Sequence, residues 1–155
     1  MADVVPLEYN NRILIRAGLQ RIRAEKARPG IKALLQVCRI PEAQATEKDL
    51  SFSVAPRINA AGRLEDMTIG VKLLTTEDPA EAQALAERLH AINAERKEIE
   101  KTMVEDAAAQ AERLIAQVGG EERRILCLVD PEGHEGVVGL VAGRLRERFN
   151  PCLYY

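Results

Sequence analysis

A chain of 155 residues, 46% hydrophobic and 30% charged, has room for one ordinary domain or two small ones and reads as soluble and globular. Aromatics amount to 3% with no tryptophan, which argues against an RNA-recognition or oligonucleotide-binding-fold surface built on exposed stacking rings. The net charge of −2 conceals a basic part, +5 over residues 1–63, and an acidic remainder, −7 over residues 64–155; the basic part points to an anionic partner or to a solvated helix face.

Met1 to Leu7 reads as the end of a strand and a loop. Residues 8–27 predict a helix with Ile13, Leu14, Ala17 and Ile22 on one face, broken by Arg28-Pro29-Gly30. A second short helix is expected at about 30–38, ended by Pro41. Thr46-Glu47-Lys48-Asp49 predicts another helical turn leading into Ser51–Val54. After the segment Pro56 to Leu64, a short helix is expected from Asp66 to Thr75, with Met67, Val71 and Leu74 inward.

Asp78-Pro79-Ala80-Glu81 is a strong helix start: a capping aspartate, a proline suited to the first turn and a glutamate at the capping-box position. From there a stripe of Leu85, Leu89, Ile92, Ile99, Met103, Ala107, Ala111, Leu114 and Val118, interrupted at Arg96, predicts one helix that stops at Gly119-Gly120. About forty residues make roughly 60 Å, the length of a strut between two lobes or of a coiled coil.

The period then changes. Arg124 to Asp130 reads as a buried strand, and Glu135 to Phe149 as a helix with Val138, Val141, Leu145 and Phe149 available for a core. A further strand begins at Cys152. This β-α-β order predicts parallel strands. Both ends read as cut from a longer protein. Three cysteines without a metal-binding pattern, Cys127 among them inside the apolar strand, suggest reduced, packed thiols and a cytoplasmic setting. Neither a signal peptide nor a membrane span is indicated.

Two segments about seventy residues apart carry the chemistry. In Pro56-Arg57-Ile58-Asn59-Ala60-Ala61-Gly62-Arg63-Leu64, guanidinium groups suited to phosphate flank residues with almost no side chain. Spacing permits Arg57 and Arg63 to converge around one backbone turn, or one of them to pair with Glu65 or Asp66. In Gly133-His134-Glu135-Gly136-Val137-Val138-Gly139, a histidine precedes a helix start, where N–H groups and the helix dipole favour anions. A solvent-facing loop histidine is the plainer reading. His90 reads as structural or solvated, Asp130 as a turn residue before Pro131, and Asp3 as a strand-end carboxylate able to join a metal site but not to make one. The chain shows no Ser/His/Asp triad, Walker loop or HExxH.

These stretches, with Ala2-Asp3-Val4-Val5-Pro6-Leu7, Asn10-Asn11-Arg12-Ile13-Leu14 and Arg28-Pro29-Gly30-Ile31, resemble in kind and order the RecJ-type single-stranded-DNA exonucleases of the DHH phosphoesterase superfamily. The resemblance covers nearly the whole chain. It implies hydrolysis of single-stranded DNA from the 5′ end with Mn²⁺ or Mg²⁺, in recombination and repair, and DNA threading between a DHH domain and a DHH-associated domain. By resemblance Asp3 is a metal ligand, Arg57, Asn59 and Arg63 grip the backbone beside the scissile phosphate, and His134, Gly136 and Gly139 contact substrate. The Asp-His-His motif and the earlier metal-binding aspartates are absent from the chain, as is the later glycine-rich motif. A two-metal site needs several carboxylates, so the expectation is a segment inert alone within a nuclease.

The fold expected is α/β and helix-rich: residues 1–77 as the end of a DHH domain with a helical segment, 78–118 as the connecting helix, and 119–155 as the β-α-β start of the associated domain. The partner implied is single-stranded DNA, with no membrane; repair proteins are not legible. Two alternatives stand: a DHH relative acting on oligonucleotides or dinucleotides, and a non-enzymatic helical module pairing through the 78–118 stripe.

Overall fold

The computed structural model describes residues 5–117, 125–149 and 152–154. The chain divides into two compact units, Met1–Asn93 and Ala94–Tyr155, and the division falls inside one continuous helix. The helix-rich α/β architecture is the expected one.

The first unit is helical: α1 (Tyr9–Arg23), α2 (Pro29–Val37), a 3₁₀ turn (Glu42–Gln44), α3 (Glu47–Asp49), a π-helical turn (Leu50–Val54), α4 (Ala55–Leu64), α5 (Thr68–Thr75) and the first part of α6 (Pro79–Gln117). Its core brings together Ile22, Leu34, Leu35, Val54, Leu73, Leu89 and Ile92 with the small residues Ala60, Ala61, Ala82 and Ala86.

Two predicted faces are corrected. On α1 only Ile22 of the expected set is buried; it is joined by Leu19, while Ile13, Leu14 and Ala17 face outward. The inward stripe is Ile15, Leu19 and Ile22, one residue round from the predicted one. The helix also stops at Arg23, because Glu25 adopts a left-handed conformation (φ 58°) that reverses the chain. On α5, Met67 and Val71 are exposed, and Gly70 and Leu73 are buried instead. The cause is Gly30 on α2: a Cβ there would lie 1.9 Å from the Leu73 carbonyl oxygen, so α2 meets α5 backbone to side at Leu73. Arg28 clasps the same pair of helices, donating to the Thr75 carbonyl at 2.8 Å and to Glu77 at 2.6 Å.

Thr46 and Asp49 form a reciprocal capping box at the start of α3. The Thr46 hydroxyl, and then its backbone N–H, holds the Asp49 carboxyl below the usual aspartate range. Thr68 does the same to Asp66 at the start of α5. A depressed folded-state value means the stabilisation is complete above the unfolded aspartate range and is lost as pH falls through the folded value. Asp49→Asn is therefore expected to melt below the unsubstituted chain at neutral pH, with the gap closing in strong acid. Thermal melts at several pH values check this; a gap that widened in acid would contradict the box as the source.

At the start of α6 the Asp78 carboxylate accepts from the Ala80 N–H at 2.9 Å, as expected of a cap. Glu81 takes the Thr76 hydroxyl, whose oxygen in turn accepts from the Asp78 N–H at 3.2 Å, so the expected box is closed through Thr76. The helix is 39 residues long.

The second unit pairs β1 (Ile125–Cys127) with β2 (Cys152–Tyr154) in parallel, with Leu126 opposite Leu153, joined through α7 (Glu135–Phe149). Met103, Ala107 and Ala111 of α6, Leu126 and Leu128, and Val137, Val141 and Leu145 of α7 are buried. Cys127 is exposed, contrary to the buried-strand reading. The alternation of a strand buries Leu126 and Leu128 and turns Ile125, Cys127 and Val129 the other way. Arg96, which breaks the apolar stripe, is a nearly buried ion-pair partner of Glu100, and Glu100 also accepts from Arg144 of α7 at 3.2 Å. The expected helix end at Val118 to Gly120 and the turn at Asn150-Pro151 lie outside the described residues.

Candidate nucleic-acid interface

Residues 47–64 run as one helical stretch with a π-helical turn at its middle. Pro56 explains the turn. A proline in a helix removes one N–H and drives its ring against the carbonyl four residues back, and the wider turn at Leu50–Val54 absorbs that misfit.

Because the segment is helical, Arg57 and Arg63 do not converge around a single turn. Six residues at about 100° each place them about 120° apart around the axis. Arg57 shares its side of α4 with Ala60, Ala61 and Leu64, the inward side. Asn59 and Arg63, four apart, share another side, where Arg63 is exposed; both are also engaged by other groups of the chain.

The half-buried Arg57 donates through an Nη to the Ser53 carbonyl in the π-helical turn at 2.6 Å and through Nε to Nδ1 of His90 on α6 at 3.1 Å. Both acceptors are neutral groups. Among the described residues Arg57 has no carboxylate partner, so its orientation is set while its charge is left unneutralised. The acids nearest in sequence are occupied elsewhere, Glu65 by Arg88 and Asp66 by Thr68. Burial pushes the nearby Cys38 thiol up, the Arg57 charge opposes this, and Asp49 adds to it.

By sequence His90 reads as structural or solvated; the structure makes it a partner of Arg57. No short-range pattern reveals this, since 33 residues separate them. A second feature was legible only in part. Arg12, Arg16 and Arg23 of α1 line a groove of about 720 Å³ with Ile15, Leu19, Glu47 and Ser51. Arg12 is held by the Leu7 carbonyl at 2.6 Å and Arg23 by the Ala45 carbonyl at 2.8 Å, again neutral acceptors. This is where part of the basic excess of the first 63 residues gathers. Phe52 and Tyr9 are exposed to 80% and 78%, so two rings do stand at the surface despite the sparse aromatic content.

His134, Gly136 and Gly139 belong to the second unit. His134 caps α7: its carbonyl accepts from the Val137 N–H at 2.9 Å and its Nδ1 accepts from the Gly136 N–H at 3.1 Å. The ring's proton therefore sits on Nε2, and one donor expected to await an anion is occupied by the imidazole. Asp130 forms the turn foreseen for it, accepting from the Glu132 N–H at 3.2 Å through its side chain and from the Gly133 N–H at 3.2 Å through its carbonyl. A Cβ on Gly133 would strike the Asp130 carboxylate at 2.8 Å, whereas one on Gly139 meets nothing. At Gly133 side-chain ends would have to shift to admit a Cβ, and Gly139 leaves an open patch of helix surface.

Asp3 lies outside the described residues. Among the described residues no three His, Cys, Asp or Glu side chains are grouped to hold a metal ion, so they do not fit a divalent-metal centre. No helix among them is long and apolar enough to cross a membrane.

No protein-family model matches the chain. The single-stranded-DNA-specific exonuclease RecJ of Salmonella typhimurium is 49% identical over 154 residues, covering 97% of this chain and 26% of that protein. The Escherichia coli RecJ is 48% identical over 154 residues, with the same coverage of 97% and 26%. The Thermus thermophilus RecJ is 41% identical over 147 residues, covering 95% of this chain and 20% of that protein. A crystal structure of exonuclease RecJ bound to manganese superposes with a TM-score of 0.82 at 38% identity, over 98% of this chain and 36% of that one. RecJ in complex with Mg²⁺ from Thermus thermophilus gives 0.79 at 38% identity, over 98% of this chain and 23% of that one. The chain spans about a quarter of the length of the curated relatives it matches, 26% for the first. In residues and in fold alike, nearly the whole chain therefore matches a RecJ-type segment, the resemblance its motifs carry.

Proposed function

We propose that this chain is the nucleic-acid-gripping segment of a RecJ-type nuclease that hydrolyses the phosphodiester bonds of single-stranded DNA from the 5′ end, with Mn²⁺ or Mg²⁺, in recombination and repair. Residues 1–77 then close a catalytic domain, 78–118 connect, and 119–155 open a second domain. Arg57 and Arg63 hold the DNA backbone and stabilise charge developing on the phosphate, Asn59 assists, and His134, Gly136 and Gly139 contact substrate. Asp3 is one metal ligand; the remaining carboxylates that a two-metal reaction needs are supplied by other residues.

The observation that carries this reading is the state of Arg57. A guanidinium oriented by a carbonyl and an imidazole, with no carboxylate beside it, keeps its full charge for an anion and pays little ordering entropy on binding. Arg12 and Arg23, in the groove along α1, are each held through Nε by one backbone carbonyl.

Fluorescence anisotropy of labelled single-stranded DNA with the 155-residue chain, across a salt series and without metal, tests it. Binding is expected to weaken with salt, by a log–log slope of about 0.7 for each phosphate contact. Adding Mn²⁺ is expected to bring no degradation. Absent or salt-independent binding would remove the gripping role, and contaminant-free degradation would show that the chain holds its own catalytic set.

A further inference from the structure

We infer that His90 is a positioning residue for the phosphate grip: its Nδ1 holds the Arg57 guanidinium in place from a second helix without neutralising it. The inference rests on the nucleic-acid reading of Arg57 and extends it to a residue on α6.

The Arg57 Nε–H points at Nδ1 of His90 at 3.1 Å, and an Nη of Arg57 reaches the Ser53 carbonyl at 2.6 Å. Arginine has no acceptor atoms, so the shared proton belongs to Arg57, and His90 is a neutral imidazole with its own proton on Nε2. Two acceptors on different elements, the π-helical turn and α6, define the plane of the guanidinium. A single acceptor would leave the planar group free to swing as a unit about that one hydrogen bond through its stem torsions. The choice of acceptor also matters chemically. A carboxylate at this position would orient Arg57 and cancel its charge at the same time, whereas an imidazole only orients it. The second Nη of Arg57 makes no hydrogen bond among the described residues, which leaves an edge of the fork for a phosphate oxygen.

His90 is exposed, and its neighbours on the inward side of α6, Ala86 and Leu89, carry the packing. Its replacement by alanine, a better helix former, therefore leaves the core intact. That separates positioning from a general structural role.

The test is anisotropy of a 5′-phosphorylated, 3′-fluorescein-labelled oligo-dT with the whole 155-residue chain at low salt, for His90→Ala, His90→Gln, Arg57→Ala and the double variant. His90→Ala is expected to weaken binding about fivefold, the scale of one ordinary hydrogen bond. His90→Gln, whose amide oxygen also accepts, is expected to restore binding to within about twofold. In the Arg57→Ala background His90→Ala is expected to add nothing. A defect in Arg57→Ala with none in His90→Ala, a defect that adds in the double variant, or a glutamine that fails to restore binding would each overturn the positioning role while leaving Arg57 a DNA contact. Native-like binding by Arg57→Ala, or no binding by the unsubstituted chain, would instead strike the nucleic-acid reading itself, and this inference with it.

Discussion

Arg57→Ala is expected to weaken single-stranded-DNA binding by about tenfold at low salt and to flatten the log–log salt slope by about one phosphate contact. The size follows from charge-assisted hydrogen bonds to phosphate, which are about twice as strong as neutral ones. Arg57 is already oriented by Ser53 and His90, so little of that gain is spent on ordering it. Arg63→Ala is expected to act in the same direction but to a smaller extent, because Arg63 is exposed and lies on another side of α4. Since the two arginines do not share a face, their effects should add. In a protein of full RecJ length both substitutions should depress turnover as well as binding, as expected of groups that meet charge developing in the transition state. Salt-series anisotropy and steady-state digestion of single-stranded DNA measure these effects. Unchanged turnover in both variants would remove the arginines from the site.

Gly30→Ala should be the most damaging single methyl in the first unit. The added Cβ would lie 1.9 Å from the carbonyl oxygen of Leu73 and 2.8 Å from its carbon, both backbone atoms of α5 that no side-chain rotation can move. Relief requires α2 and α5 to part by about 1 Å, which disturbs the fully buried Leu34, Leu35 and Leu73 and the Arg28 clasp on Thr75 and Glu77. Overpacking of this kind costs about 3 kcal/mol, which for a chain of this size lowers the melting temperature by roughly 6–12 °C. Gly18→Ala is the control: a Cβ there meets nothing within 4 Å, and alanine in an exposed helix interior is favoured by about 1 kcal/mol. Circular-dichroism melts of the two variants should therefore move in opposite directions. A Gly30→Ala melt within a degree of the unsubstituted chain would show that the two helices are not in backbone contact.

Some features depend only on neighbours along the chain, and these were legible. The start of the long helix at Asp78-Pro79, its stripe from Leu85 to Leu114, the capping turn at Thr46, the turn at Asp130 and the parallel β-α-β order all follow from local hydrogen bonding and the period of apolar residues. The resemblance carried by Pro56–Leu64 and His134–Gly139 was legible for the same reason, because a motif is a local arrangement of residue types.

Other features were settled only by what packs against each element. Periodicity marks that α1 and α5 are amphipathic, yet which of two adjacent stripes turns inward depends on the partner. On α5 the contact at Gly30 selects Gly70 and Leu73 over Met67 and Val71. Cys127 reads as core by its apolar neighbours, but strand alternation beside Leu126 and Leu128 leaves it at the surface. The arginine segment shows the difference most clearly. Its residue types suggest a grip on phosphate, while the helix imposed around Pro56 sends Arg57 and Arg63 to different sides. The bond between Arg57 and His90 then joins residues 33 apart. By itself, therefore, the sequence determined the helix-rich α/β class and the element order, because these rest on short-range geometry and residue type. The tertiary structure decided which face is buried, where each guanidinium points and what holds it there, because those depend on groups that only folding brings within hydrogen-bonding distance.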